Sequence, residues 1–255
     1  MRIKSILPSL TAAMAMLALS AGAAHAATNL VVNGNFDATT NGTNKQLAAT
    51  PAAALAADKR TTLTGWTSSN GRDGGYNFVL DADLAKTWDS AIWLRSENKG
   101  VSNGYTSSAN GGNIFASDAL YHPGTLSQTI SGLTQDAYYT LTFDFALAQQ
   151  VGFTGANTDN YWHVVFGDET FNSNELSIAS GGFSGWETAT MTFKASSTSQ
   201  VLSFLAQSSA PGAPPFLLLD SVALAAAVPE PSTWGMMLGG IGLVGLLARR
   251  RARQA

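Results

Sequence analysis

The stretch Tyr138-Tyr-Thr-Leu-Thr-Phe-Asp-Phe-Ala146 alternates apolar and polar residues along its length. Leu141, Phe143 and Phe145 would share one face of an extended chain, and the intervening polar residues would share the other face. A repeat of two residues predicts a half-buried β-strand. Because no long stretch has the periodicity of an amphipathic helix, strands of this kind decide the fold.

The same reasoning extends to the rest of the chain. Further strands are predicted at 30–32, 91–94, 126–130, 161–166, 188–194, 201–205 and 216–224. Short strands at fairly even spacing, separated by Gly, Asn and Ser turns, predict an all-β fold, an antiparallel β-sandwich, as a single domain over residues 27–227.

Two stretches of this domain look irregular. Residues 38–62 are rich in Ala, Thr and Asn and are predicted to form an inserted loop, and residues 96–113 a second long polar loop. Within the first, Thr50 would cap a short helix that has Pro51 at its first position and extends to Lys59.

The first residues have the pattern of an export signal. A positive start at Met1-Arg-Ile-Lys4 is followed by an apolar segment and by Ala24-His-Ala26. This order predicts a secretory signal peptide in residues 1–26, removed after Ala26.

The last residues have a different apolar pattern. The run from Trp234 to Ala248 is uncharged, and as a helix it would be about 22 Å long, short of the ~30 Å hydrocarbon core of a bilayer. It is followed by a basic cluster that would stay in the cytoplasm: Arg249, Arg250, Arg251 and Arg253. A short C-terminal transmembrane helix, inserted transiently in the inner membrane, is therefore predicted.

The residues before this run are Val228, Pro229, Glu230 and Pro231, and the two prolines favour an extended chain. Together with the apolar helix and the arginines, they resemble the PEP-CTERM sorting signal over residues 228–255. The resemblance implies processing by exosortase, a membrane-embedded enzyme, and export to the cell surface or extracellular matrix of a bacterium that makes exopolysaccharide. An ordinary single-span anchor is the alternative.

The charge balance bears on partners. Between Lys4 and Arg249 the chain has eight basic residues and all 17 acidic ones, a formal net charge of −9. Such a surface would repel nucleic acids, so nucleic-acid binding is not expected. The chain has no cysteine, which excludes disulfides, thiolate zinc sites and cysteine catalysis.

Five short motifs follow one another in a recognisable order. They are Asn29-Leu-Val-Val-Asn-Gly-Asn-Phe-Asp37, Gly65-Trp66, Leu126 to Leu133, Gly185-Trp-Glu187 and Leu219-Asp-Ser-Val222. This order resembles a galactose-binding-like jelly roll, the fold of many carbohydrate-binding modules. The resemblance also implies a structural Ca²⁺ ion held by Asp37 and Asp220, with oxygen atoms from Asn33 to Asn35, and calcium favours oxygen ligands of this type.

Aromatic residues in loop-like contexts are candidate sugar-binding residues, because their rings stack on the apolar face of a pyranose. The candidates are Trp66, Tyr76, Trp88, Tyr105 and Tyr121, with Asn70, Arg72 and Asp73 as polar neighbours. Among them, Tyr105 is expected to be the most exposed, because it lies in a Gly, Ser and Asn-rich loop. For Trp66, burial in the core is the alternative.

No catalytic constellation is evident. The chain has no Gly-x-Ser-x-Gly motif, and the acidic residues near Asp81, Asp83, Asp89 and Glu97 are predicted to cap loops or face solvent. The sequence favours a non-catalytic exported protein associated with extracellular polysaccharide. A glycoside hydrolase or lyase, and a purely structural or adhesive envelope protein, stay open as alternatives.

Overall fold

The computed structural model describes residues 28–70, 73–96 and 102–227, together with 239–242 and 249. The predicted signal peptide and the four residues 228–231 lie outside the described part. Of the predicted transmembrane run, residues 239–242 are described and are helical. The described part contains no helix long and apolar enough to cross a membrane.

Between residues 28 and 227, the described elements are thirteen strands and one helix. In chain order they are β1 (Lys45–Leu47), α1 (Pro51–Ala56), β2 (Arg60–Thr61), β3 (Thr67–Ser69), β4 (Asn77–Asp81), β5 (Asn113–Asp118), β6 (Thr125–Ser131), β7 (Tyr138–Gln149), β8 (Asn157–Phe166), β9 (Glu169–Asn172), β10 (Leu176–Ile178), β11 (Glu187–Lys194), β12 (Ser199–Ser208) and β13 (Pro215–Ala226).

The strands form two sheets. The seven-stranded sheet has the order β11-β7-β13-β5-β4-β1-β2, and the six-stranded sheet has the order β10-β8-β12-β6-β3, with β9 paired to β8. All pairs are antiparallel except β1 and β2, which are parallel. The prediction of an all-β sandwich is confirmed, whereas its finer assignment as a jelly roll stays a prediction.

The alternation in β7 places its large side chains between the sheets. Leu141, Phe143 and Phe145 are at most 1% exposed and pack with Trp162 and Phe204 of the facing sheet. Each such side chain stabilises the fold by roughly 2 kcal/mol when its apolar surface leaves water. Burial of this face fixes the register of β7, because a slip by one residue would turn the face to solvent.

The seven-stranded sheet is also covered on part of its outer face. Residues 82–96 and 102–108, here called the covering segment, place Ala85, Ile92, Leu94 and Tyr105 against outward-facing residues of this sheet. Those sheet residues are Phe78, Leu80, Ile114, Ala116, Ala146, Ala148, Phe216 and Leu218. The second apolar cluster explains why Ala146 to Gln149 of β7 are all buried, although the first half of the strand alternates.

Two predicted strands are not found. At 30–32 the chain joins β13 by the bond from Leu30 N to Leu224 O, without forming a strand. At 91–94 the only pairing is an isolated bridge between Lys86 and Trp93. There the alternation is real, with Ile92 and Leu94 buried, but it serves packing in the covering segment.

The prediction that residues 38–62 form a loop is wrong in part, because this stretch contains β1, α1 and β2. The helix begins as predicted, with Thr50 Oγ1 accepting a hydrogen bond from Ala53 N at 3.3 Å. It ends at Ala56, three residues before the predicted end, because Ala57 has an extended backbone.

Candidate functional site

A groove of about 380 Å³ lies between β1, β4 and the turn at residues 87–92. We call it the aromatic groove, because Tyr76, Phe78 and Trp88 line it. The other lining residues are mostly polar or charged, with Ala91 and Ile92 as the apolar ones: Asn44, Lys45, Gln46, Asp58, Lys59, Thr87, Asp89, Ala91 and Ile92. The structure thus joins two of the predicted sugar-binding residues, Tyr76 and Trp88, in one site.

Trp88 lies on a turn that its neighbours hold in place. Trp88 is 77% exposed. Its backbone is nevertheless held, because its N donates a hydrogen bond to Asn44 O at 3.3 Å. The next residue, Asp89, accepts hydrogen bonds through Oδ1 from Thr87 Oγ1 at 2.9 Å and from Ala91 N at 3.1 Å. The turn therefore displays an indole ring that the core does not bury.

Tyr76 supplies a half-buried ring at the other side of the groove. Its ring centroid lies 4.9 Å from that of Phe78 and 4.9 Å from that of Tyr121, both in edge-to-face geometry. Burial raises the pKa of the Tyr76 hydroxyl, with a contribution from the charge of Asp118. The phenol therefore stays protonated at neutral pH and can both donate and accept a hydrogen bond.

An ion pair crosses one end of the groove. Lys59 Nζ and Asp89 Oδ2 lie 3.0 Å apart, and both side chains are largely exposed. The hydrogen bond from Lys59 lowers the pKa of Asp89 to about 2, helped by the bonds from Ala91 and Thr87. Asp89 is therefore ionised at neutral pH.

The structure removes two of the predicted sugar-binding residues from the surface. Trp66 is 6% exposed, contacts the rings of Phe36 and Phe204, and donates from Nε1 to Asn33 O at 3.0 Å. Tyr105 is 8% exposed, and its hydroxyl donates to Ala82 O at 2.9 Å. The expectation that Tyr105 is exposed is wrong, because its loop folds onto the apolar face of the seven-stranded sheet.

The predicted calcium ligands do not form a ready cage. Asp37 accepts hydrogen bonds from Asn35 Nδ2 at 2.6 Å and from Asn113 N at 2.9 Å. Asp220 is fully buried and accepts from Ser108 Oγ at 2.5 Å and from Ser221 N at 2.6 Å. Among the described residues, no group of three or more His, Cys, Asp or Glu could hold a metal ion.

Burial nevertheless changes the pKa of Asp220. Burial, together with the charges of Asp144 and Asp37, raises the pKa of this carboxyl to about 6, although the hydrogen bonds from Ser108 and Ser221 lower it. The carboxylate oxygens of Asp37 and Asp220 are of the type that calcium binds, but in this structure they accept hydrogen bonds from groups within the protein. The calcium ion therefore stays a prediction.

The described acidic residues that are candidates for catalysis accept hydrogen bonds from nearby groups. Asp81 Oδ1 accepts from the backbone N of Asp83 and of Leu84, and Asp83 itself accepts from Ser107 Oγ. Glu97 lies outside the described residues, as does Arg72, one of the predicted polar neighbours. The other charged neighbour, Asp73, pairs with Arg60 at 2.7 Å and does not line the groove.

Sequence reasoning missed the polar side of the aromatic groove. Asn44, Gln46 and Lys59 come from the stretch that the composition suggested to be a loop, and no motif marks them. Only the pairing of β1 with β4 brings this stretch beside Tyr76 and Phe78. That pairing depends on contacts between residues more than thirty positions apart, which local patterns do not encode.

Comparisons with known structures and proteins give distant similarities for the body. One similar structure is a family 61 carbohydrate-binding module, TmCBM61, in complex with β-1,4-galactotriose, with a TM-score of 0.42 at 12% identity over 78% of this chain and 99% of that chain. Another is the K1 cleaved adhesin domain of Lys-gingipain from Porphyromonas gingivalis, with a TM-score of 0.39 at 14% identity over 64% and 92%.

A third is the C-terminal family 22 carbohydrate-binding module of Clostridium thermocellum Xyn10B, with a TM-score of 0.35 at 12% identity over 65% of this chain and 89% of that chain. No curated protein sequence matches the chain. Similarities this distant do not identify a ligand.

The C-terminal residues give the specific match. Residues 227–251 match the PEP-CTERM protein-sorting motif, in agreement with the resemblance of Val228, Pro229, Glu230, Pro231 and the arginine cluster. This motif indicates a secreted protein that exosortase sorts to the cell surface. The chain therefore carries a PEP-CTERM sorting signal C-terminal to an all-β sandwich of two sheets.

Proposed function

We propose that this protein is exported, processed at its PEP-CTERM motif, and binds uncharged extracellular polysaccharide through the aromatic groove without catalysing a reaction. The observation that carries this proposal is the exposed indole of Trp88 beside the half-buried ring of Tyr76. A fixed turn that displays an indole to solvent costs hydration free energy unless a ligand covers the ring. A pyranose ring has an apolar face suited to this contact, and its hydroxyls can bond to amides such as that of Gln46.

The charges favour an uncharged glycan. The groove is lined by two basic residues, Lys45 and Lys59, and two acidic residues, Asp58 and Asp89, so its own charges balance. The surrounding chain has a formal net charge of −9 between Lys4 and Arg249, which would repel an acidic polysaccharide. An uncharged polysaccharide would not be repelled by this surface and needs no unpaired charge in the groove.

The state of Asp89 argues against this carboxyl as the general acid of a glycoside hydrolase. A glycoside hydrolase needs two carboxyl groups roughly 5 to 10 Å apart, one of which keeps its proton to act as general acid. The pKa of Asp89 is lowered to about 2, and its oxygens are held by Lys59, Thr87 and Ala91. This carboxyl is therefore suited to holding the turn and not to donating a proton.

A glycan array with the purified protein tests the proposal, with a Trp88→Ala variant beside a Tyr138→Ala control. Tyr138 is 58% exposed and does not line the aromatic groove, so its loss removes an exposed ring of similar kind. We expect binding to one or more uncharged glycans that Trp88→Ala weakens and Tyr138→Ala leaves unchanged. Absence of binding across neutral and acidic glycans would contradict the proposal, and release of reducing ends from a bound glycan would show an enzyme instead.

A further inference from the structure

A second groove, of about 450 Å³, runs along β11 at the opposite edge of the seven-stranded sheet. We call it the edge groove. One wall is residues 171–174, at the end of β9 and just after it, and the other is residues 188–192 of β11. Strands β7, β13, β5 and β4 separate β11 from β1, and five strand spacings place the two grooves roughly 24 Å apart.

The edge groove also displays an aromatic ring. Phe171 is 43% exposed, and its ring lies edge-to-face on the buried ring of Phe193, with centroids 4.9 Å apart. This contact fixes one edge of the Phe171 ring, while much of the side chain stays in solvent. The groove therefore repeats the feature that carries the proposal for the aromatic groove.

The opposite wall offers hydrogen-bonding groups. Lys194 N points away from β7, since it donates to Glu169 Oε2 at 2.7 Å. Because strand residues alternate, the main-chain groups of Thr188, Thr190 and Thr192 point the same way. They have no backbone partner among the described residues. Hydroxyl groups of a sugar can both donate to and accept from such groups.

The residues that line the edge groove favour an uncharged ligand over an ionic one. None of the nine lining residues is charged, and the side chains are hydroxyls, amides, one phenyl ring and two small or apolar groups. Glu187 begins β11, and at the other end Lys194 pairs with Asp136 at 2.6 Å while its backbone N bonds to Glu169. Acidic groups therefore outnumber basic ones at the two ends, so an anionic chain would be repelled, whereas an uncharged glycan would not.

We propose that the edge groove is a second site for uncharged glycan, so that one molecule holds two polysaccharide chains and cross-links them. The proposal rests on the proposed function, because it gives the same ligand class to both grooves. Two sites on opposite edges of one rigid sheet cannot both bind the same short oligosaccharide, so each takes its own chain. Cross-linking then follows from geometry, without contact between protein copies.

Titration calorimetry tests the proposal with four uncharged trisaccharides, each too short to span both grooves: maltotriose, cellotriose, laminaritriose and galactotriose. For a trisaccharide that binds, we expect about two sites per wild-type molecule, one in Trp88→Ala and one in Phe171→Ala. Light scattering with the matching long polysaccharide should rise for the wild type and stay flat for both variants.

Loss of the contact with Phe193 could unfold Phe171→Ala, so Thr190→Lys serves as a second variant. Thr190 is exposed, and a lysine there places a charge in the groove without disturbing the core. A single wild-type site that Trp88→Ala removes and Thr190→Lys leaves intact would overturn this inference but not the proposed function. No binding by the wild type would overturn both. Self-association without glycan, lost in Thr190→Lys, would overturn it by showing that the edge pairs with another polypeptide chain.

Discussion

The covering segment should contribute measurably to stability, and Ile92→Ala is the substitution that tests this. Ile92 is fully buried against the outer face of the seven-stranded sheet, and it also lines the aromatic groove. The change removes three carbon atoms, worth about 2.4 kcal/mol of transfer free energy, and the cavity adds to this. We expect the free energy of unfolding to fall by about 3 kcal/mol.

Urea unfolding measures this loss, with Leu84→Ala as the matched control. Leu84 lies in the same segment but is 47% exposed, so its truncation should cost less than about 1 kcal/mol. Hydrogen exchange at Thr87 N and Leu94 N, which bond to Ile92 O and Ala85 O at 2.9 Å each, should accelerate in Ile92→Ala. If Ile92→Ala unfolds within about 1 kcal/mol of the wild type, the segment does not pack on the sheet as described.

Three further predictions concern Asp220, calcium and export. Because burial raises the pKa of Asp220 to about 6, above the unfolded value near 3.9, the free energy of unfolding measured with a chelator should be about 1.4 kcal/mol higher near pH 5 than near pH 7.5. An equal pH dependence in Asp220→Asn would contradict this. If calcium joins Asp37 and Asp220, a chelator should lower the melting temperature at pH 7.5, and an unchanged midpoint would refute the calcium prediction. An epitope tag after Ala255 should be missing from protein at the cell surface while an internal tag remains, since processing at the PEP-CTERM motif removes the C-terminal residues; full-length protein at the surface would argue against processing.

The long strands could be predicted from sequence because their signal is local. In β7, β11, β12 and β13 every second residue is apolar over at least part of the strand, and this pattern needs no knowledge of the partner strand. The short strands β1 to β3 have only two or three residues, too few for an alternation to stand out. Their existence depends on neighbours that are distant in sequence.

The candidate site, too, could be predicted from sequence only in part. Trp88 and Tyr76 could be singled out as aromatic residues in loop-like contexts, and the structure brings them into one groove. Tyr105 has an equally polar sequence context, yet its loop folds over the sheet and buries the ring. Local composition indicates that a residue is near the surface, but only tertiary packing decides whether its ring faces solvent.

Nuclear magnetic resonance of the tryptophan side chains tests the central claim most directly. The indole N–H signal of Trp88 should shift during titration with an uncharged glycan found by the array, because that ring is 77% exposed at the groove. The signals of Trp66 and Trp162 should stay in place, since these residues are 6% and 0% exposed. A glycan that binds at saturation and leaves the Trp88 signal unmoved would contradict the account.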